Sequence, residues 1–301
     1  MPLLALGQAS ATDSGAPFPD TDSEAWKALF AVDVAEVPLG QAPFDIGNGV
    51  RFETALIGHV AGFNVGYINL GVTVTDRGYR VDYKMVQQGV ARWFSDGQAE
   101  AVAAGLFDDQ ANITTSYYLN HDYDGDDEQQ RTELYHEAGS RRYHLWALPE
   151  YTFRQAVSEE EALGAVDPLA AIVALTFTPT GEGQHPCDRS VPVLDGKRRF
   201  DLVMVPDGTE KIRQRGPGRF EGQAIKCKLE QRKVAGYKEN NRGDIEGDIW
   251  VYFVEVPEKF RTPVLRYAPV RISGRQGILG ASLHAKRPRF IEADGSVTPI
   301  G

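Results

Sequence analysis

The chain has 301 residues, 42% of them hydrophobic and 25% charged, enough apolar material to bury a substantial core. Its net charge of −10 argues against general nucleic-acid binding, which needs basic surface to displace counterions. Thirty-one glycines and 17 prolines, spread along the chain, imply many turns and suit a β-rich fold better than a helical bundle.

Leu3-Leu4-Ala5-Leu6 followed by Ala9-Ser10-Ala11 reads as the tail of an export signal, with an apolar core and a small-x-small cleavage pattern. On this reading residues 1–11 are a signal remnant whose basic start lies upstream of Met1; the competing reading is a disordered cytoplasmic tail. Residues 12–50 are polar and turn-rich, an extension that docks, if at all, through Trp26 and Phe30. No stretch approaches the ~20 apolar residues of a membrane-spanning helix.

From Arg51 the texture becomes strand-like. Residues 52–60 and 62–74 form an expected hairpin. In the next strand Tyr79, Val81, Tyr83 and Met85 share one face while Arg80, Asp82 and Lys84 share the other. One apolar and one polar face is the mark of an antiparallel meander. Residues 89–105 are less clear, and further strands are expected at 113–119, 131–137 and 141–148.

Two helical signals then interrupt the strands. Residues 158–163 read as an acidic turn closed by Gly164. Asp167 is a good N-cap and Pro168 suits the first helical position. The apolar run Leu169, Ala170, Ala171, Ile172, Val173, Ala174, Leu175 follows, and β-branched Thr176 and Thr178 with Pro179 end it. A two-turn helix that is apolar all round must be enclosed. The alternative is a buried strand over 170–177. Strands resume at 199–205, 224–234, 249–256, 264–272 and 277–285, so residues 51–290 read as one domain and 291–301 as a tail.

Little in the sequence points to catalysis. The cluster Asp122, Asp124, Asp126, Asp127 and Glu128 has carboxylates, but not the order of a calcium loop, and reads as a solvated hairpin loop. Six scattered histidines include only His136 and His144 as neighbours across a turn, with no third ligand in view, so no metal site is expected. No nucleophile elbow, P-loop or dinucleotide fingerprint is present, and neither a catalytic residue nor a cofactor is assigned. Lys211, Arg213, Arg215 and Arg219 form a local basic patch, read as a hairpin tip or as a contact for an anionic head group or acidic partner. Cys187 and Cys227, the only cysteines, lack redox spacing and form an expected disulfide suited to an oxidising compartment.

Four segments together resemble the bacterial family known as domain of unknown function 3108: Gly62-Phe63-Asn64-Val65-Gly66, Asp167-Pro168-Leu169-Ala170-Ala171-Ile172, Asp195-Gly196-Lys197-Arg198-Arg199-Phe200-Asp201-Leu202 and Pro269-Val270-Arg271-Ile272. The resemblance covers roughly residues 52–285. It implies an exported, β-rich protein and carries no catalytic residues. A broader likeness, at the level of fold alone, is to lipoprotein carriers and β-spiral periplasmic proteins.

The expected architecture is therefore mainly β: a strongly curved antiparallel sheet, an open barrel or spiral, with the 167–175 helix against its concave face. The expected role is that of a non-enzymatic periplasmic protein, at most peripheral to a membrane and not binding nucleic acid. Its sheet encloses an apolar small molecule, lipid or envelope-protein segment beneath a helix built on Asp167, Pro168, Leu169, Ile172, Val173 and Leu175. The alternative is a structural or interaction protein of the envelope in which that helix is simply core.

Overall fold

The computed structural model describes residues 49–89, 97–108, 112–124, 128–136, 143–148, 157–178, 185–213, 218–237, 247–276 and 279–300. The expected signal remnant and nearly all of the expected extension lie outside these residues.

Period-2 alternation produces two antiparallel meanders. The first comprises β1 (Val50–Val60), β2 (Phe63–Val74), β3 (Gly78–Gln87), β4 (Gly97–Phe107), β5 (Ile113–Asp124), β6 (Glu128–His136) and β7 (Tyr143–Leu148). The second comprises β8 (Arg189–Leu194), β9 (Arg199–Ile212), β10 (Gly222–Ala235), β11 (Asp248–Glu255), β12 (Tyr267–Gln276) and β13 (Leu279–Ile291), with the short β14 (Val297–Pro299) paired to β13. β1 pairs with β13, so the meanders join into one sheet ordered β7-β6-β5-β4-β3-β2-β1-β13-β12-β11-β10-β9-β8. The sheet is open, with β7 and β8 at its ends.

Register shows how the inner face is built. Phe290, Phe52, Val72, Val81, Ala103, Tyr118 and Leu134 lie opposite one another in turn, a single apolar row across seven strands. Every member of that row is buried. The β1–β2 hairpin turns on Ala61 and Gly62, both with positive φ (49° and 86°), the backbone of a two-residue turn that follows the natural strand twist. The row at Tyr79 needs a glycine opposite: a Cβ on Gly105 would stand 2.6 Å from the Tyr79 ring and 2.0 Å from the Thr114 carbonyl oxygen.

Between the meanders come α1 (Glu159–Ala162) and α2 (Pro168–Ile172), the latter running on as a π-helical turn, Val173–Phe177. Ser158 and Glu161 cap α1 reciprocally, and Gly164 beyond it has φ +75°. α2 and its π turn pack against β4, β5, β8 and β12, bridging the inner faces of both meanders.

Several expectations are corrected. The helical segment does not end at Leu175. It widens into a π turn through Phe177, because Thr176 and Thr178 turn their hydroxyls onto the Ile172 and Ala174 carbonyls (2.6 and 2.9 Å) and keep those acceptors satisfied. Asp122 and Asp124 belong to β5, not to a loop; Asn120 donates to Asp122 at 2.7 Å along that strand. Residues 125–127 and the side chains of His136 and His144 lie outside the description. β8, hidden in the sequence by Pro192, is an end strand: Val166 hydrogen-bonds the Pro192 carbonyl and the Leu194 amide along one of its edges. Residues 297–299, in the stretch read as a tail, extend the sheet.

Candidate functional site: a helix capped at both ends

Asp167 is the N-cap of α2. Its Oδ1 accepts from the Leu169 and Ala170 amides at 2.8 and 2.9 Å. Its Oδ2 accepts from Thr115 Oγ1 of β5 at 2.6 Å, while its own amide donates back to Thr115 Oγ1 at 3.1 Å. Both residues are buried, and among the described residues no cation is paired with the carboxylate. Burial pushes Asp167 up to about 6 despite the three hydrogen bonds it accepts. Tyr79 and Tyr118 are buried in the same region, and both phenols are pushed well above their ordinary value, first by burial and then by the Asp167 charge.

Arg189, at the start of β8, closes the other end. Its Nη1 donates to the Ala174 carbonyl and to Thr178 Oγ1 (2.9 Å for the latter), its Nη2 to the Thr178 carbonyl, and its Nε to the Pro186 carbonyl at 3.1 Å. A guanidinium on the last carbonyls complements the negative end of the helix. Burial draws Arg189 down to about 10.

The expected disulfide is present. Cys187 and Cys227 are bonded, with 5.4 Å between their Cα atoms. It lies two residues before Arg189 and packs with Leu175, Met204, Val251 and Phe253. The bridge therefore ties the segment that carries the C-terminal cap to β10.

Of the helix residues singled out in the sequence, Leu169, Val173 and Leu175 are buried, Ile172 is partly buried and Pro168 occupies the first helical position. Leu169 and Val173 join Phe52, Val72, Phe177, Val193 and Phe290 in one apolar cluster. Ala170, Ala171, Val173 and Phe177 have no exposed surface at all. Phe177 meets Phe52 edge-on at 5.4 Å.

Three of the four residues of the expected basic patch are described. Lys211 and Arg213 are exposed, Arg219 is half-buried in a bridge to Lys286 of β13, and Arg215 lies outside the described residues.

Sequence reasoning missed a charged network on the outer face of β13, β1, β2 and β3. Arg51 bonds Glu53 and Asp82, both at 2.8 Å; Arg80 bonds Asp82 at 3.0 Å, and Arg289 bonds Glu53 at 2.9 Å. Gly71 leaves room for it, since a Cβ there would stand 2.1 Å from Arg51 Nη2. The visible signal was alternation, which placed Arg80 and Asp82 on one face without naming their partners. Among the described residues, no group of three His, Cys, Asp or Glu side chains is placed to hold a metal, and no helix is long and apolar enough to cross a membrane.

No curated protein matches the chain. A β-barrel-like protein of domain of unknown function DUF1849 from Brucella abortus is similar in structure, with a TM-score of 0.41 and 10% identity over 79% of this chain and 95% of that one. A putative lipoprotein from Parabacteroides distasonis ATCC 8503 gives a TM-score of 0.24 and 14% identity over 80% of this chain and 95% of that one. The model of the protein family of unknown function DUF3108 matches residues 52–275, and the chain belongs to that family.

Proposed function

We propose that this protein is a non-enzymatic, exported protein of the cell envelope that acts through its outer surfaces, its concave face being filled by its own helix. The observation that carries this reading is the complete burial of Ala170, Ala171, Val173 and Phe177 within a cluster contributed by both meanders. Side chains with no exposed surface leave no apolar room beside them for a lipid, so such a ligand would enter only by displacing α2. Export is supported by the Cys187–Cys227 disulfide, a bond that persists in oxidising compartments.

Hydrogen exchange combined with solvent extraction tests the reading. The amides of residues 169–177 are expected to exchange as slowly as those of β1 and β2, and organic extracts of the purified protein to contain no stoichiometric lipid by mass spectrometry. Fast exchange of the helix together with a co-purifying lipid would instead establish a lid over a ligand site.

A further inference from the structure

The outer face of β10–β13 carries a groove of about 490 Å³ whose walls are set by strand register. Lys226, Tyr252, Arg271 and His284 stand opposite one another in one row across these four strands. Lys228, Trp250, Ser273 and Ser282 form the next row. Beyond them Gly274, Gly280 and Ala281 hollow the floor, and Ala61 and Gly62 close one end. Arg271 is directed outward by a bulge, for Tyr252 pairs with Arg271 but Phe253 with Pro269, leaving Val270 as the extra residue.

The cations in this groove are held in place. Lys226 Nζ stands 5.0 Å from the Trp250 ring centre and bonds Asp207 at 2.8 Å. The Arg271 guanidinium stands 4.8 Å from the Tyr252 ring centre, and its Nη1 bonds Glu210 at 2.9 Å. Among the described residues Arg271 Nε, shielded from solvent, has no acceptor, and Nη2 has none either. A fixed guanidinium with spare donors, beside Ser282 and Ser273 (whose hydroxyl donates to Tyr252 Oη at 3.3 Å) and a floor of Gly274, Gly280 and Ala281 next to Arg275, suits an oxygen-rich anion. The charges differ along the groove: at one side His284 is drawn down to about 4 by burial and by Arg271, His59 and Arg219, and His59 is lowered by burial and Arg219, whereas at the other Asp207 and Glu210 raise Lys226.

We propose that this groove binds a small polar ligand through an oxyanion group of the phosphate type, with Arg271 as its principal contact and Lys226, Ser273 and Ser282 as neighbours. Glu210 competes for the same guanidinium and sets a ceiling on affinity. The site lies outside the concave face, so it stands or falls independently of whether α2 is core or lid.

The test is titration of isotope-labelled protein with inorganic phosphate at constant ionic strength, following the Trp250 indole and Arg271 Nε–H signals. Saturable shifts are expected. Arg271→Gln should weaken binding about tenfold or more, Glu210→Gln should tighten it, and Arg232→Gln, an exposed site on the same strand as Lys226, should leave it unchanged. A parallel sedimentation with phosphatidylglycerol vesicles separates the sources: co-sedimentation lost in Arg271→Gln identifies a lipid head group, and phosphate binding without it a soluble ligand. Absence of saturable shifts, identical shifts with chloride, or undiminished binding by Arg271→Gln would overturn the proposal.

Discussion

Thr115 and Asp167, 52 positions apart, are joined by two hydrogen bonds running in opposite directions between β5 and the start of α2. The pair fixes where the helix enters the sheet, because the carboxylate that caps α2 is also the acceptor for the strand. Thr115→Val keeps the shape and removes the hydroxyl, leaving Asp167 Oδ2 buried with one partner fewer. A loss of about 1–3 kcal/mol in unfolding free energy is expected from denaturant titration. A change within a few tenths would show that the pair is dispensable.

Asp167 also makes stability depend on pH. Its folded value is raised from 3.8 to about 6, so the folded state holds the proton more tightly than the unfolded chain. The contribution is complete below pH ~4 and is lost as pH rises through about 6, a loss of up to about 3 kcal/mol. Asp167→Asn retains a capping side chain but cannot titrate. Subtracting its denaturation curve from that of the native protein at each pH from 4 to 7 cancels the other carboxylates. The difference should grow in favour of Asp167→Asn as pH rises; parallel curves would refute the assignment.

Reduction of Cys187–Cys227 opens a loop of 40 residues. The chain-entropy model gives about 4 kcal/mol for a loop of this length, and native disulfides typically contribute ~2–5. Melting with and without reductant measures it directly. The double variant Cys187→Ala with Cys227→Ala should match the reduced protein and be insensitive to reductant.

Arg189→Met preserves the aliphatic stem while deserting the Ala174 and Thr178 carbonyls. Destabilisation of about 1–3 kcal/mol is expected, with faster amide exchange concentrated in residues 173–178. Uniform acceleration across the whole sheet would mean that the cap acts globally and not on the π turn.

Gly105→Ala places a methyl group against Tyr79 and a strand carbonyl, and should cost about 1–3 kcal/mol. Gly274→Ala is the comparison, because its nearest neighbour, the Asp248 carbonyl oxygen, would be 3.8 Å away. If both variants were equally stable, the close approach of Tyr79 would not be a constraint.

The strands and the helix start were legible because each is encoded locally. Tyr79, Val81, Tyr83 and Met85 alternate in three consecutive steps of two, and Asp167-Pro168 marks a helix start in two residues. The disulfide was legible by number, only two cysteines being available. The partners were not legible. Nothing near Asp167 indicates Thr115, and Arg289 reaches Glu53 across 236 positions. Such pairings follow from strand register, where a slip of one residue turns every side chain to the other face. The π turn escaped for a related reason: Thr176 and Phe177 look like strand residues, and only their hydrogen bonds and burial hold them helical. β5 ran past its expected end because Asp122 and Asp124 satisfy the strand period while looking like loop chemistry.

Arg51 stands opposite Ile291, so among the described residues the first strand to be synthesised is zipped to nearly the last. Half of the hydrogen-bonding edge of β1 therefore waits through the synthesis of more than two hundred residues before its neighbour exists. During that interval the exposed edge is free to pair wrongly, and a chain stopped before residue 279 never acquires β13 at all. Premature termination near the C-terminus should thus be as damaging as a lesion at the start of the sheet, and an assisting factor that shields a lone strand would be most useful at that late stage.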